Sequence, residues 1–125
     1  MAGADVASLE RQAERVAERL AEVANPKRLL ILCHLAKKEA AATQAATTDG
    51  PTGADGTRAG SAEASVGELQ AAVGLSQSAL SQHLARLRQA GMVATRREAQ
   101  TIHYRLADDE TRQLMAALYD TFCRR

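Results

Sequence analysis

The fold class that this 125-residue sequence predicts is mainly α-helical with one β-hairpin. Apolar residues recur at helical spacing in several segments separated by capping residues. Two short segments near the end, "MVATRR" and "TIHYRL", instead alternate in polarity and contain β-branched and aromatic residues, as hairpin strands do. The length fits one small domain and leaves no room for a separate catalytic domain.

The first predicted helix covers residues 8–24 and reads "SLERQAERVAERLAEVA". Its apolar residues recur at steps of four and three between charged flanks, which makes a narrow seam typical of a helix packed on another helix. The seam residues are Leu9, Ala13, Val16, Leu20 and Val23. This seam can face either the core of the domain or a second subunit, and the pattern alone favours neither.

A second helix is expected from Pro26 to about Lys38. Asn25 is a favourable N-cap, and proline is favoured at the first helical position. The residues expected on its inner face are Leu29, Leu32, Cys33 and Ala36, with Leu30 and Ile31 widening that face. Such a wide apolar face predicts that this helix is central to the core.

Residues 39–64 differ in composition from the rest of the chain. They are rich in alanine, threonine and glycine and contain almost no large apolar residue. Such a segment buries too little surface to offset the entropy of ordering it. We therefore predict a flexible insertion at about 39–64, whose alanine-rich start is compatible with a helical extension. Both a passive surface insertion and a functional loop are open interpretations.

Two short helices joined by a tight turn follow at once. Ser65 and Glu68 fit a capping box that opens a helix over 66–73, and Gly74 suits the left-handed position after it. Ser76 then caps a helix from Gln77 to about Ala90, which Gly91 ends. The expected inner residues of this last helix are Leu80, Leu84 and Leu87. Together the pair predicts a helix-turn-helix.

The second helix of a helix-turn-helix lies in the major groove of DNA, with its N-terminal residues at the base edges. The residues at those positions are Gln77, Ser78, Ala79, Ser81, Gln82 and His83. Glutamine can contact adenine through two hydrogen bonds, and small residues let the backbone approach the groove. Arg86 lies farther along and is better placed for a phosphate. For any one of these residues the alternative is a solvated helix face.

The hairpin carries a cluster of positive charge. Its basic residues are Arg96 and Arg97 on the first strand and His103 and Arg105 on the second. Net charge is only +1, but between residues 82 and 105 five arginines face a single glutamate. This local excess predicts a wing that contacts the phosphate backbone or the minor groove. A last helix, from about Asp108 to Cys123, is expected to turn Leu114, Met115, Leu118 and Phe122 inward.

Three stretches, "NPKRLLIL", "SVGELQAAVGLSQSALSQHLARLRQAGMV" and "RREAQTIHYRL", resemble the ArsR/SmtB winged-helix repressors of bacteria. The resemblance covers nearly the whole chain except its first residues and the 39–64 segment. It implies a winged helix-turn-helix with about five helices and a two-stranded wing. It also implies a homodimer, formed through the first and last helices, that binds palindromic double-stranded operator DNA and represses transcription.

Many repressors of this family sense metal ions, but their ligand patterns are not found in this sequence. One family site uses a Cys-x-Cys pair in the helix before the recognition helix, where this chain has "SVGELQAAV". Another uses aspartate and histidine in the last helix, where "DDETRQLMAALYD" has no histidine. The expectation is therefore no metal site and no cofactor.

The two cysteines instead resemble the persulfide-sensing, BigR/SqrR-like branch of the family. That branch has one cysteine in the second helix and one near the end of the last, as Cys33 and Cys123 are here. The resemblance implies that reactive sulfur species are the inducer, that the two thiols become joined by a di- or polysulfide bridge, and that DNA is released. The alternative for Cys33 is a small buried apolar residue.

Other functions are less well supported by the residues. A repressor that responds to a metal ion or another inducer is the alternative within the family, and a winged helix used only for protein interaction is the alternative outside it. No nucleophile–base set or phosphate-binding motif suggests an enzyme. Because charged residues occur throughout the first 25 positions, we expect no secretory signal, and because no stretch of about 18 apolar residues occurs, we expect no membrane span. The expected location is the cytoplasm.

Overall fold

The computed structural model describes residues 6–47 and 62–123. Within these ranges the chain forms five α-helices and one three-stranded antiparallel sheet. The elements are α1 (Val6–Val23), α2 (Pro26–Thr47), β1 (Ala64–Ser65), α3 (Val66–Val73), α4 (Gln77–Gln89), β2 (Val93–Glu98), β3 (Thr101–Leu106) and α5 (Asp109–Leu118), which a π-helical turn (Tyr119–Cys123) continues. The helix-turn-helix followed by a hairpin confirms the winged fold.

The sheet has one strand more than the sequence predicted. Strand β3 lies in the middle, with β2 on one side and the two-residue β1 on the other. Tyr104 of β3 is thus opposite both Thr95 and Ala64. A strand of two residues is too short to show alternation, so only its pairing with β3 reveals it.

Helix α2 is nine residues longer than predicted, because it continues from Lys38 to Thr47. Alanine is the best helix former, and the added stretch reads "EAAATQAAT". The helical extension allowed for at the alanine-rich start of the 39–64 segment is therefore formed, and residues 62 and 63 lead directly into β1. Residues 48–61 lie outside the described part of the chain, where a flexible insertion stays a prediction.

Helix α2 passes through the middle of the core. Ile31, Leu32 and Leu35 are fully buried in it. The buried residues of α4 are Leu80, Leu84 and Leu87, as predicted. The predicted inward position of Leu30 was wrong, because its side chain is 47% exposed. Leu35, one turn after Ile31, is fully buried on the inner face of α2, where Leu30 had been predicted.

The apolar seam of α1 faces away from the core of its own chain. Only Val23 is buried, while Val6, Leu9, Val16 and Leu20 are between 44% and 71% exposed. At the other end of the chain, Met115 is buried and Leu114 and Leu118 pack against the core. Phe122 is 69% exposed, so its predicted inward position was wrong for the single chain.

Short side chains begin three helices as the sequence predicted. The Asn25 side chain accepts hydrogen bonds from the backbone N–H groups of Lys27 and Arg28, each at 3.0 Å. Ser65 and Ser76 accept from the third residue after them, at 3.1 and 3.2 Å. Only half of the predicted capping box forms, because the carboxylate of Glu68 bonds to His34 and Lys38 of α2 instead of to the backbone N–H of Ser65.

The Glu68 carboxylate joins α3 to α2. It lies 2.9 Å from His34 Nε2 and 3.0 Å from Lys38 Nζ. Burial alone would raise the pKa of Glu68, but the hydrogen bonds from His34 and Lys38 outweigh burial, and the pKa is lowered. This contact holds the first helix of the helix-turn-helix on the central helix.

Replacement by alanine is expected to have opposite effects on stability at two glycines in this region, Gly74 and Gly67. Gly74 has φ +69°, and a Cβ there would meet no atom within 4 Å, so Gly74→Ala adds backbone strain and no clash. We expect it to lower the free energy of unfolding by about 1–2 kcal/mol. Gly67, inside α3, is an ordinary helical position, so Gly67→Ala is expected to raise stability by about 0.5–1 kcal/mol.

Urea denaturation of the two variants under reducing conditions checks this prediction. Equal losses at both positions would contradict the assignment of Gly74 as a left-handed cap, because the effect would then not depend on backbone conformation.

Candidate DNA-binding surface and cysteine site

Helix α4 presents a polar face on a rigid support. Gln77, Ser78, Ser81 and Gln82 are exposed, whereas Ala79 and His83 are half-buried at the edges of this face. The three leucines on the opposite side of α4 are locked in the core. We call the exposed N-terminal half of α4, residues 77–83, the recognition face. Its exposure and its fixed support are what base contacts in a groove require.

Arg86 extends the recognition face by one turn. Ser78, Gln82 and Arg86 follow at steps of four and therefore lie on the same side of α4. Arg86 Nε donates a hydrogen bond to the Glu22 carboxylate of α1 at 2.8 Å. The sequence did not predict this partner, because 64 positions separate the two residues.

The basic residues of the wing lie on both faces of its sheet. Arg96 is opposite His103 and Ala94 is opposite Arg105, so Arg96, His103 and Arg105 share one face. Arg97 is opposite Ile102 and belongs to the other face, whose residues Val93 and Leu106 are buried at the base of the hairpin. The four basic residues are thus brought to one hairpin but not to one surface.

Arg96 is held by two carboxylates. Its Nε and Nη2 donate to Glu63 at 3.0 and 2.7 Å, and Nη1 lies 3.4 Å from Glu98. The hydrogen bond from Arg96 lowers the pKa of Glu63, against a smaller opposing effect of burial. Glu63 was missed by sequence reasoning because it precedes a strand that shows no pattern of its own. The guanidinium of Arg96 is therefore the least available of the four basic groups.

Cys33 lies on the side of α2 that faces α5. It is partly buried and packs against the core. It lines a cavity of about 580 Å³ together with residues of α5 and the turn after it. The lining also includes Leu106 of β3, Met115 and Ala116 of α5, and Tyr119 and Asp120 of the turn.

Cys123 ends the π-helical turn that begins at Tyr119, one of the cavity residues. The side chain of Cys123 lies outside the described part of the structure. Tyr119 and Asp120, the first two residues of this turn, line the same cavity as Cys33. An ion pair also joins α5 to α2, because Arg112 of α5 donates to Glu39 of α2 at 2.8 Å. Arg112 donates as well to Asp109 of its own helix, at 2.9 Å.

Histidines do not gather around this site. His34 is bonded to Glu68, and His103 lies 3.5 Å from Glu98 on the wing. Across residues 6–47 and 62–123, no three side chains of histidine, cysteine, aspartate or glutamate come together as metal ligands. None of the helices in these ranges combines the length and apolar character needed to cross a membrane.

The sequence matches known regulators over most of its length. Residues 60–95 match the family described as "Bacterial regulatory protein, arsR family". The biofilm growth-associated repressor of Agrobacterium fabrum is 40% identical, in an alignment that covers 93% of this chain and 79% of that protein. The transcriptional activator HlyU of Vibrio cholerae is 36% identical, with 92% of this chain and 84% of that protein covered.

Solved structures share the fold. The transcriptional repressor BigR of Xylella fastidiosa superimposes with a TM-score of 0.68 at 34% identity, covering 97% of this chain and 99% of that one. A homodimeric winged helix-turn-helix DNA-binding domain from Mycobacterium bovis does so with a TM-score of 0.60 at 27% identity, covering 97% and 89%. These relatives are described as transcriptional regulators. The chain thus belongs to the arsR family of bacterial regulatory proteins.

Proposed function

We propose that this protein is a cytoplasmic transcriptional repressor that binds palindromic operator DNA as a homodimer. We further propose that it releases the DNA when Cys33 and Cys123 react with a persulfide or a related reactive sulfur species. The observation that carries the sensing proposal is the position of Cys33, partly buried on α2 and facing the helix whose continuation ends at Cys123.

DNA binding is supported by the recognition face and by the wing. Gln82 and its neighbours offer the donors and acceptors that base edges require. Arg97 and Arg105 offer positive charge for phosphates on the hairpin that follows, and His103 offers a ring nitrogen. Repression is proposed on the resemblance to repressors of this family. The Agrobacterium relative is described as a repressor and HlyU as an activator, so a promoter assay decides the sign of regulation.

The exposed seam of α1 supports dimer formation. Val6, Leu9, Val16 and Leu20 form an apolar stripe that no part of the described chain covers, and Phe122 is also exposed. Such patches commonly mark protein interfaces. The Mycobacterium bovis neighbour is described as homodimeric. In a two-fold dimer the two recognition helices would enter successive major grooves about 34 Å apart.

The sulfur chemistry needs two thiols and an external persulfide. Each cysteine thiolate attacks the outer sulfur of an organic persulfide, taking up one sulfur atom and releasing the organic thiol. Two protein persulfides then condense to a trisulfide and expel hydrogen sulfide. Attack of one thiolate on the inner sulfur of a single protein persulfide instead gives a disulfide and hydrogen sulfide. A reducing compartment would keep the resting thiols available for this reaction.

Ion pairs offer a route from the cysteines to the DNA-reading helix. The first turn of α5 is joined to α1 by Arg19, which donates to Asp108 and to the buried Thr111, each at 2.8 Å. Three residues later on α1, Glu22 binds Arg86 of α4. A sulfur bridge between Cys33 and Cys123 that moves α5 relative to α2 would therefore also move α1, which contacts both α5 and α4.

Release of DNA by a persulfide is the experiment that tests the proposal. The reduced protein is bound to a duplex that the wild type itself selects from a random library. The complex is treated in separate samples with an organic persulfide, oxidised glutathione and Zn²⁺, and the intact mass is recorded. We expect persulfide to release the DNA and to add the mass of one sulfur less two hydrogens, or to remove two hydrogens.

Cysteine variants provide the controls. Cys33→Ser and Cys123→Ser are expected to bind the same duplex as tightly as the wild type and to stay bound after persulfide treatment. Full release of Cys123→Ser by persulfide would contradict the two-thiol mechanism. Release by Zn²⁺ alone, with no change in covalent mass, would support the alternative of a metal-responsive repressor.

A further inference from the structure

We infer that Glu22 is a positioning residue for DNA binding. It holds Arg86 through Nε, so that the two terminal nitrogens of Arg86 can bind a phosphate group. The inference rests on the proposed DNA-binding function. Neither α1 nor its acidic residues belong to the recognition face, so this role adds a residue of the outer helix to the DNA-binding machinery.

The hydrogen bond between these residues uses only one edge of the guanidinium. Arg86 donates to Glu22 through Nε, at 2.8 Å, and no other described residue accepts a hydrogen bond from Arg86. The two terminal nitrogens therefore point away from the contact, and the side chain as a whole is 58% exposed. A guanidinium binds a phosphate most strongly through two parallel N–H donors, and these are the groups that remain available.

Glu22 is itself held in place. Its side chain is only 18% exposed. Arg28, which is buried, donates through Nε to the main-chain oxygen of Glu22 at 2.7 Å and lies 3.8 Å from its carboxylate. The cluster of Arg28, Glu22 and Arg86 thus contains two positive charges and one negative charge. Its net charge stays positive and attracts a phosphate rather than repelling it.

Arg96 of the wing shows the opposite arrangement. Glu63 takes both Nε and Nη2 of Arg96, and Glu98 lies near Nη1. Two carboxylates face one guanidinium there, and its donors are occupied. Arg86 and Arg96 therefore differ in how many carboxylates they contact, which the sequence does not show. Arg86 is oriented with free donors, and Arg96 is neutralised.

The place of Arg86 explains why its orientation matters. It lies one turn beyond Gln82 on the same side of α4. Phosphate contacts set the register of a protein on DNA, whereas base contacts read the sequence. An arginine that is already oriented loses less side-chain entropy on binding than a free one. Glu22 would therefore influence the fit of the recognition face without touching DNA.

Double-mutant analysis tests this inference. Binding of Glu22→Gln, Arg86→Gln and the double variant is measured on the duplex selected by the wild type, over a range of salt concentrations. We expect Glu22→Gln to weaken binding roughly three- to tenfold, the effect of losing one pre-oriented side chain. We expect the double variant to bind no more weakly than Arg86→Gln alone. Arg86→Gln should lower the salt dependence by about one phosphate contact per subunit.

Several results would contradict a positioning role for Glu22. Tighter binding by Glu22→Gln would mean that Glu22 competes with phosphate for Arg86. An equal loss from Glu22→Gln in the Arg86→Gln background would mean that Glu22 acts through the fold. Glu22→Asp keeps the charge but withdraws the carboxylate, so wild-type affinity in this variant would also contradict positioning. Thermal unfolding identifies any variant that fails to fold, in which case Glu22→Asp carries the test.

Failure of this inference can be told apart from failure of the proposed function. If Arg86→Gln leaves affinity unchanged while Gln82→Ala weakens it, the protein reads DNA without this arginine, and only the role of Glu22 is lost. If the wild type selects no duplex from the library, the proposed function fails first.

Discussion

Replacing Gln82 by alanine is expected to weaken binding to the selected duplex by about 1–3 kcal/mol for each half-site. Gln82 is exposed on the recognition face, and the buried leucines on the opposite side of α4 keep that face in a fixed orientation. The loss has a physical reason: a base edge that paired with the amide is left without its partner. Fluorescence anisotropy with the selected duplex and with an unrelated duplex measures both affinities.

The two duplexes are expected to respond differently to this substitution. Binding to unrelated DNA depends on phosphates and should change little. Gln89→Ala is the matched control, because Gln89 is also an exposed glutamine of α4 but lies at the C-terminal end of the helix, away from the recognition face. Equal losses on the two duplexes, or an equal loss from Gln89→Ala, would remove Gln82 from the base-reading residues.

The largest effect on stability is expected from Leu32→Ala. Leu32 is fully buried on the central helix, and truncating a buried leucine removes apolar contacts and leaves a cavity. We expect the free energy of unfolding to fall by about 2–5 kcal/mol. Urea denaturation at one fixed protein concentration, under reducing conditions, measures the change, because the stability of a dimer depends on concentration.

Leu30→Ala is the control for this prediction. Leu30 lies on the same helix, two residues away, but is 47% exposed. Its truncation should cost clearly less than that of Leu32, because part of its surface is already in water. A loss at Leu30 that matches the loss at Leu32 in the dimer would show that an interface between subunits covers Leu30.

Local signals in the sequence predicted the helix-turn-helix well. Ser65 and Ser76 each bind a backbone N–H three residues away, and Gly74 takes the left-handed conformation expected of it. These contacts involve neighbours in the chain, so the residue types alone define them. The bounds of α3 and the buried leucines of α4 were accordingly correct.

The differences between prediction and structure have more than one physical cause. Strand β1 forms only because Ala64 and Ser65 pair with β3. Helix α2 continues to Thr47, past the predicted end at about Lys38, because alanine propensity sustains a helix with little burial. Leu30 and Phe122 are apolar residues at helical spacing, but neighbouring elements do not cover them in the chain.

By itself the sequence determined the helix-turn-helix, the hairpin, the residues of the recognition face and the two cysteines of the proposed sensor. These features depend on residue type and on periods of two to four residues, which a sequence displays directly. Only the tertiary structure decided which charged groups meet. Glu22 with Arg86 and Glu63 with Arg96 are 64 and 33 positions apart, and packing of separate elements brings each pair together. That packing leaves Arg86 bonded to one carboxylate through Nε alone, whereas Arg96 donates to the two carboxylates of Glu63 and Glu98.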